Sequence, residues 1–269
     1  MKKSILTTGF LCFCLWCSAQ SPNPKVVDLG DHSGLLSLLF DSKLFAPNGE
    51  VLWKPLNFAD ELSANYSDDG YLHTHFDTIL YFTTYGISQA VAVFSTRHYE
   101  KGMINDCQAC GVQISVAICD EAIGGKWNLQ RFSKHFTTLG SGGENGEIAL
   151  TQFGTNQWCL NLSMSWIGQG VFSEYASFYN LDDMERVFNY VIHEDNSGAL
   201  GAETEESYSY DKSIHFITHE ETDSGWWDFE IVTRGTKAPE GDEKKSVPAN
   251  TVERFRFNWD TESYMKVCD

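Results

Sequence analysis

A chain of 269 residues with 37 Asp and Glu against 19 Lys and Arg has a formal charge of −18. Phosphate backbones and anionic membrane surfaces repel such a chain, so nucleic acid is excluded as an expected partner while cationic partners stay open. The length is enough to bury a core without metal or cross-links, and beyond the first 20 residues no apolar run approaches the about 18 that a membrane-spanning helix needs.

Residues 1–19 read as a signal peptide. Lys2 and Lys3 give a positive start, residues 5–16 are mostly apolar, and Cys17-Ser18-Ala19 places small residues where a signal peptidase cuts, before Gln20. Trp16 before Cys17 and Phe13 before Cys14 are too large to precede a lipid-modified cysteine. The chain is therefore read as exported, to a periplasm or the cell exterior, with residues 20–269 as a single β-rich domain. That mature chain carries 17 basic and 37 acidic groups, a balance of −20.

Residues 34–45 hold Leu35, Leu36, Leu38, Leu39 and Phe40 behind Ser33 as a cap, which predicts a short helix. Ser67-Asp68-Asp69-Gly70 reads as a turn whose carboxylates accept backbone N–H groups; as a calcium site it lacks EF-hand spacing. His73 and His75 are two apart and project from one face of a strand, the spacing that lets two imidazoles share a metal. Zinc there would need further ligands, for which His98, His215 and Asp77 are the candidates. Residues 77–84 and 89–96 are apolar runs around Tyr85-Gly86-Ile87-Ser88, a hairpin pattern.

Cys107-Gln108-Ala109-Cys110 in an exported chain is expected to close a disulfide. The following residue is Gly111, so the histidine of a haem-attachment motif is missing. The pair also precedes a strand, whereas thiol oxidoreductases activate their thiolate at a helix start. Five cysteines in the mature chain is an odd number, so at least one is free or paired to another chain. Cys119 and Cys159 lie in strand-like runs and are candidates for a second bridge.

Strand patterns continue over 111–119, 127–132, 147–153, 158–165 and 171–179. The glycine-rich segment 140–146 lacks the lysine and hydroxyl residue of a phosphate loop, and Glu144 and Glu147 would repel phosphate, so it reads as a connection between strands. Asp182-Asp183 is expected to start a helical turn through 184–190. The acidic segment 193–198 reads as a turn before it reads as a calcium site, and a weak domain boundary is placed near 196–206. Residues 208–218 and 226–234 are strands. Trp226 and Trp227, adjacent on a strand, must point to opposite faces, so one ring enters the core and the other can stack on a sugar or anchor a partner. Residues 235–250 are charged and hold Pro239, Gly241 and Pro248, an exposed-loop pattern, before 252–259 alternates Phe255, Phe257 and Trp259 against Arg254, Arg256 and Asn258.

Turn signals recur about every 10 residues, the rhythm of an all-β protein. The expected fold is an antiparallel meander forming a β-sandwich or barrel with one or two short helices; a β-propeller-like arrangement is the alternative, without a visible repeat. Three functional classes fit. The preferred one is an acidic binding protein without a cofactor, binding or inhibiting a basic protein partner, with carbohydrate as the other ligand class. The second is a hydrolase using a carboxylate pair or a His73 and His75 metal site, and the third is a structural envelope protein.

Overall fold

The computed structural model describes residues 25–54, 67–104, 111–141, 146–200, 204–218, 225–238 and 245–267. The signal-like segment, Cys107 and Cys110 lie outside these residues.

Every strand pairing is antiparallel, as a chain with short connections permits. The first sheet has seven strands, in the order β1 (Lys25–Val27), β9 (Trp127–Leu139), β8 (Val112–Glu121), β5 (Ile87–Arg97), β4 (Leu72–Thr84), β3 (Val51–Trp53) and β2 (Leu44–Phe45). The second has nine: β10 (Glu147–Gln152), β11 (Trp158–Gly168), β12 (Val171–Asn180), β13 (Arg186–Asp195), β14 (Ser209–Ile217), β15 (Asp228–Lys237), β17 (Thr251–Asn258) and β18 (Ser263–Lys266), with β16 (Val247–Pro248) joined to β15. A small ribbon pairs β6 (Tyr99–Glu100) with β7 (Met103–Ile104). Among the described residues neither large sheet closes on itself, so this is an open, sandwich-like meander and neither a closed barrel nor a ring of blades.

Local sequence explains the tight turns. Tyr85 and Gly86 both take positive φ (50° and 77°) between the paired Thr84 and Ile87, and Gln169 and Gly170 (53° and 79°) do the same between Gly168 and Val171. Two successive positive φ values match the right-handed twist of the strands they join.

The first sheet is buried on both faces, which is why β5 and β8 read as nearly continuous apolar runs. On one face Ala90, Ala92, Phe94, Ala117 and Cys119 meet Leu35, Leu36, Leu39 and Phe40 of helix α1 (His32–Phe40). On the other, Val91, Val93, Ile114 and Val116 meet Leu160 and Leu162 of the second sheet and Leu181 in the turn after β12. Each fully buried side chain of this size contributes roughly 1.5–3 kcal/mol, so this shared layer binds the sheets together.

The second sheet curls around a third core. Phe153, just past β10, packs on Phe178, Phe216, Phe229 and Tyr264, which come from β12, β14, β15 and β18, at ring separations of 4.9, 4.9, 5.8 and 5.5 Å. A bridge between Gly154 and Trp226 fastens the same end. Strands this far apart in sheet order share one ring cluster only if the sheet is strongly concave.

Three local expectations are corrected. Helix α1 starts at His32, capped by Asp31, whose carboxylate accepts the Gly34 N–H at 2.9 Å, and it ends at Phe40 with Asp41 left-handed; Leu44–Phe45 is a strand. Residues 184–190 are not helical, because Val187, Phe188, Tyr190 and Ile192 place their side chains in the third core and the segment pairs with β12 as β13. The expected loop 235–250 is partly strand: Thr236 and Lys237 pair with Pro248 and Val247. A four-residue helix, α2 (Ser197–Leu200), lies in the segment expected to hold a boundary, and the strands on either side of it pair with each other in one sheet.

Candidate functional site

The most densely connected polar cluster lies at one end of the first sheet. A turn returns the Ala46 N–H to the Glu50 carbonyl (2.9 Å) and fixes Glu50 just before β3. Pairing of β3, β4 and β5 then places His73 beside Leu52 on one side and Arg97 on the other. The Ser67–Gly70 turn is held by Gly70 N–H donating to Ser67 O (2.8 Å) and Tyr71 N–H to the Asp69 carboxylate (3.0 Å), the Asx pattern expected of this segment. Tyr99 joins through its N–H to Ser67 Oγ (2.9 Å), and Lys101 N–H donates to Asp68 Oδ2 at 2.5 Å.

These supports bring four side chains into one chain of contacts. Tyr99 Oη donates to Glu50 Oε1 (2.8 Å); Glu50 Oε2 faces His73 Nδ1 at 3.3 Å; His73 Nε2 faces Asp69 Oδ2 at 2.9 Å. The His73 and Tyr99 rings lie 4.7 Å apart. Glu50 is only 1% exposed. Burial and the hydrogen bond to Glu50 raise the Tyr99 hydroxyl above its ordinary pKa, so it keeps its proton and remains a donor. Above this floor opens a cleft of about 350 Å³ whose rim carries Asp68 and Asp69 and whose described lining residues include no Lys or Arg, although the Arg97 guanidinium bonds the Tyr99 hydroxyl beside it.

Both ring nitrogens of His73 face carboxylates, Nδ1 that of Glu50 and Nε2 that of Asp69, so neither points into the cleft unoccupied. His75 projects from the same face of β4 but does not line the cleft. Among the described residues no group of three or more His, Cys, Asp or Glu is placed to hold a metal ion. Of the suggested additional ligands, His215 lies on β14 in the other sheet, bonded to Ser213 Oγ at 2.9 Å, and Asp77 accepts from Ser95 Oγ at 2.9 Å.

Trp226 is the tryptophan that enters the core. It is 2% exposed and stacks on Phe257 at 4.3 Å, so it is a packing residue and presents no ring to a ligand. Trp227 is half-buried, 6.0 Å from the Phe216 ring. Cys119 and Cys159 carry free thiols, and the bridge weighed between them is not formed. Cys119 faces helix α1, whereas Cys159 faces the third core and its neighbour Leu160 takes the side toward the first sheet. Burial pushes the Cys119 thiol up to about 12 and raises Cys159 in the same direction, so neither is a nucleophile.

Glu50 and Tyr99 were not singled out from the sequence. They stand 23 and 26 residues from His73 and meet it only through strand register, a relation that no local spacing announces. Among the described residues, no helix is long and apolar enough to cross a membrane. No family model matches the chain, and neither the curated proteins nor the solved structures provide a match.

Proposed function

We propose that this is an exported acidic binding protein that receives a cationic group, the lysine or arginine side chain of a basic protein partner, in the cleft above Glu50. The observation that carries the reading is the buried Glu50 carboxylate, 1% exposed, at the floor of a cleft with two further carboxylates on its rim and no Lys or Arg among its described lining residues. Taking a carboxylate out of water costs several kcal/mol unless partners compensate, and natural proteins concentrate such groups at functional sites. Tyr99 and His73 each occupy one contact of Glu50, which leaves acceptor capacity on both oxygens for an incoming N–H donor.

The charge of −18 supports the same reading at longer range, since a strongly anionic chain attracts a cationic partner before contact and does so less as salt screens it. Hydrolysis is less well supported, because both ring nitrogens of His73 already face carboxylates. Binding of a short lysine-containing peptide, measured by calorimetry at low and high salt, tests the proposal. Salt-sensitive binding weakened by Glu50→Gln supports it; no binding, or binding indifferent to salt, refutes it.

A further inference from the structure

A second cavity, of about 370 Å³, opens on the concave face of the second sheet, and strand register shows how it is built. Glu194 pairs with Tyr210, Lys212 with Thr233, Thr233 with Thr251, and Ile231 with Glu253, so all these side chains share the face that carries Phe216, Phe229 and Phe255 further along. The aromatic cluster fills one end of the concavity, and the polar rows line the open remainder.

The geometry points to this cavity as a binding site for a neutral saccharide. Its volume lies at the low end of the roughly 300–1,000 Å³ of small-molecule pockets. Its charges balance, Glu194 and Glu253 against Lys212 and Lys237, unlike the cleft above Glu50. The carboxylates are also partly neutralised by neighbours: Tyr208 Oη donates to Glu194 Oε1 at 2.7 Å, and Lys266 Nζ meets Glu253 Oε1 at 2.5 Å. Two tempered carboxylates, the Thr251 hydroxyl and two ammonium groups offer acceptors and donors in alternation, which is what a ring of hydroxyl groups requires.

The aromatic partner is Tyr210. Gly235 is its cross-strand neighbour, and a Cβ there would meet the Ser209 carbonyl at 2.3 Å, so that position is held to glycine and adds no side chain beside the ring, while the Lys212 ammonium lies 5.3 Å from the ring centroid. Tyr208 lies parallel to Tyr210 at 6.4 Å and extends the same wall. The apolar C–H face of a sugar packs on such a ring while its hydroxyls reach the polar rows.

Titration of the mature chain with neutral mono-, di- and trisaccharides by protein-observed NMR tests this, with free amino acids as zwitterionic competitors. At least one saccharide is expected to bind with a Kd at or below about 1 mM, insensitive to salt. Tyr210→Ala is expected to weaken it about tenfold, Tyr210→Phe to retain most of it, and Glu121→Gln, at an exposed position on the first sheet, to leave it unchanged. Absence of saccharide binding, full affinity in Tyr210→Ala with its melting transition intact, or preference for the amino acids would overturn the assignment.

Discussion

Replacing Asp228 with Asn removes the charge that two arginines share at the start of β15. Asp228 opens β15, and its side chain is 9% exposed. It accepts from Arg254 Nη2 at 2.8 Å and from Arg256 Nε and Nη2 at 3.1 and 3.0 Å. Removing one partner of a buried pair costs about 3–5 kcal/mol when the survivor stays buried. Here the survivors are 47% and 63% exposed and regain water, so the expected loss is that of hydrogen bonds to a charged group, about 1–3 kcal/mol. Burial resists ionisation of Asp228, but the two guanidinium groups outweigh it and lower its pKa. A carboxylate with a depressed folded-state pKa contributes stability above its unfolded value, about 3.9, and loses that contribution as pH falls through the folded value. Urea unfolding of wild type and Asp228→Asn should therefore show a constant difference from about pH 7 to about pH 4 that shrinks at lower pH. A difference that stays equally large in acid, or one below about 0.5 kcal/mol at neutral pH, would refute this reasoning.

Two other consequences follow from burial. At about pH 8, mass mapping after alkylation should find Cys119 and Cys159 unmodified in the folded protein and modified in denaturant; modification of either at equal rates in both states would contradict the packing. Tyr99, Tyr190, Tyr208, Tyr210 and Tyr264 all have pKa values raised, chiefly by burial, with Tyr210 pushed up to about 12. Neutral phenols favoured by the fold contribute stability that is complete below the unfolded value of about 10 and is lost as pH rises through the folded values. Phenolate absorbance should accordingly lag behind that of the unfolded chain and then rise together with unfolding; a titration matching the unfolded chain throughout would show these hydroxyls to be exposed.

Period-two patterning made most of the sheet structure legible, because it reports which face of each strand is buried. The alternation of Phe255 and Phe257 against Arg254 and Arg256 is realised, with these rings in the third core and the guanidinium groups outside, whereas Trp259 lies past the end of β17 and is exposed. Helix boundaries were harder. Asp31 and Ser33 are both competent caps, and only the Gly34 contact chooses Asp31. Asp182-Asp183 resembles a helix start, yet the β-branched and aromatic residues after it prefer a pleated neighbour. The cleft was legible only in part. Asp69 and His73 are four apart and each drew attention, but Glu50 and Tyr99 reach His73 through pairing of strands distant in sequence. The concave cavity was hidden for the same reason, since Glu194, Tyr210, Thr233 and Glu253 become neighbours only once register is known.

If Glu50 receives the cationic group, calorimetry with a lysine-containing peptide at low salt reads the contact itself. Three proteins are compared: wild type, Glu50→Gln, and Glu121→Gln, which removes the same charge at an exposed position on β8. About a tenfold or greater loss of affinity is expected for Glu50→Gln, with its melting transition retained, and little change for Glu121→Gln. Equal affinity for all three would show that the attraction is diffuse and that the cleft is not the site.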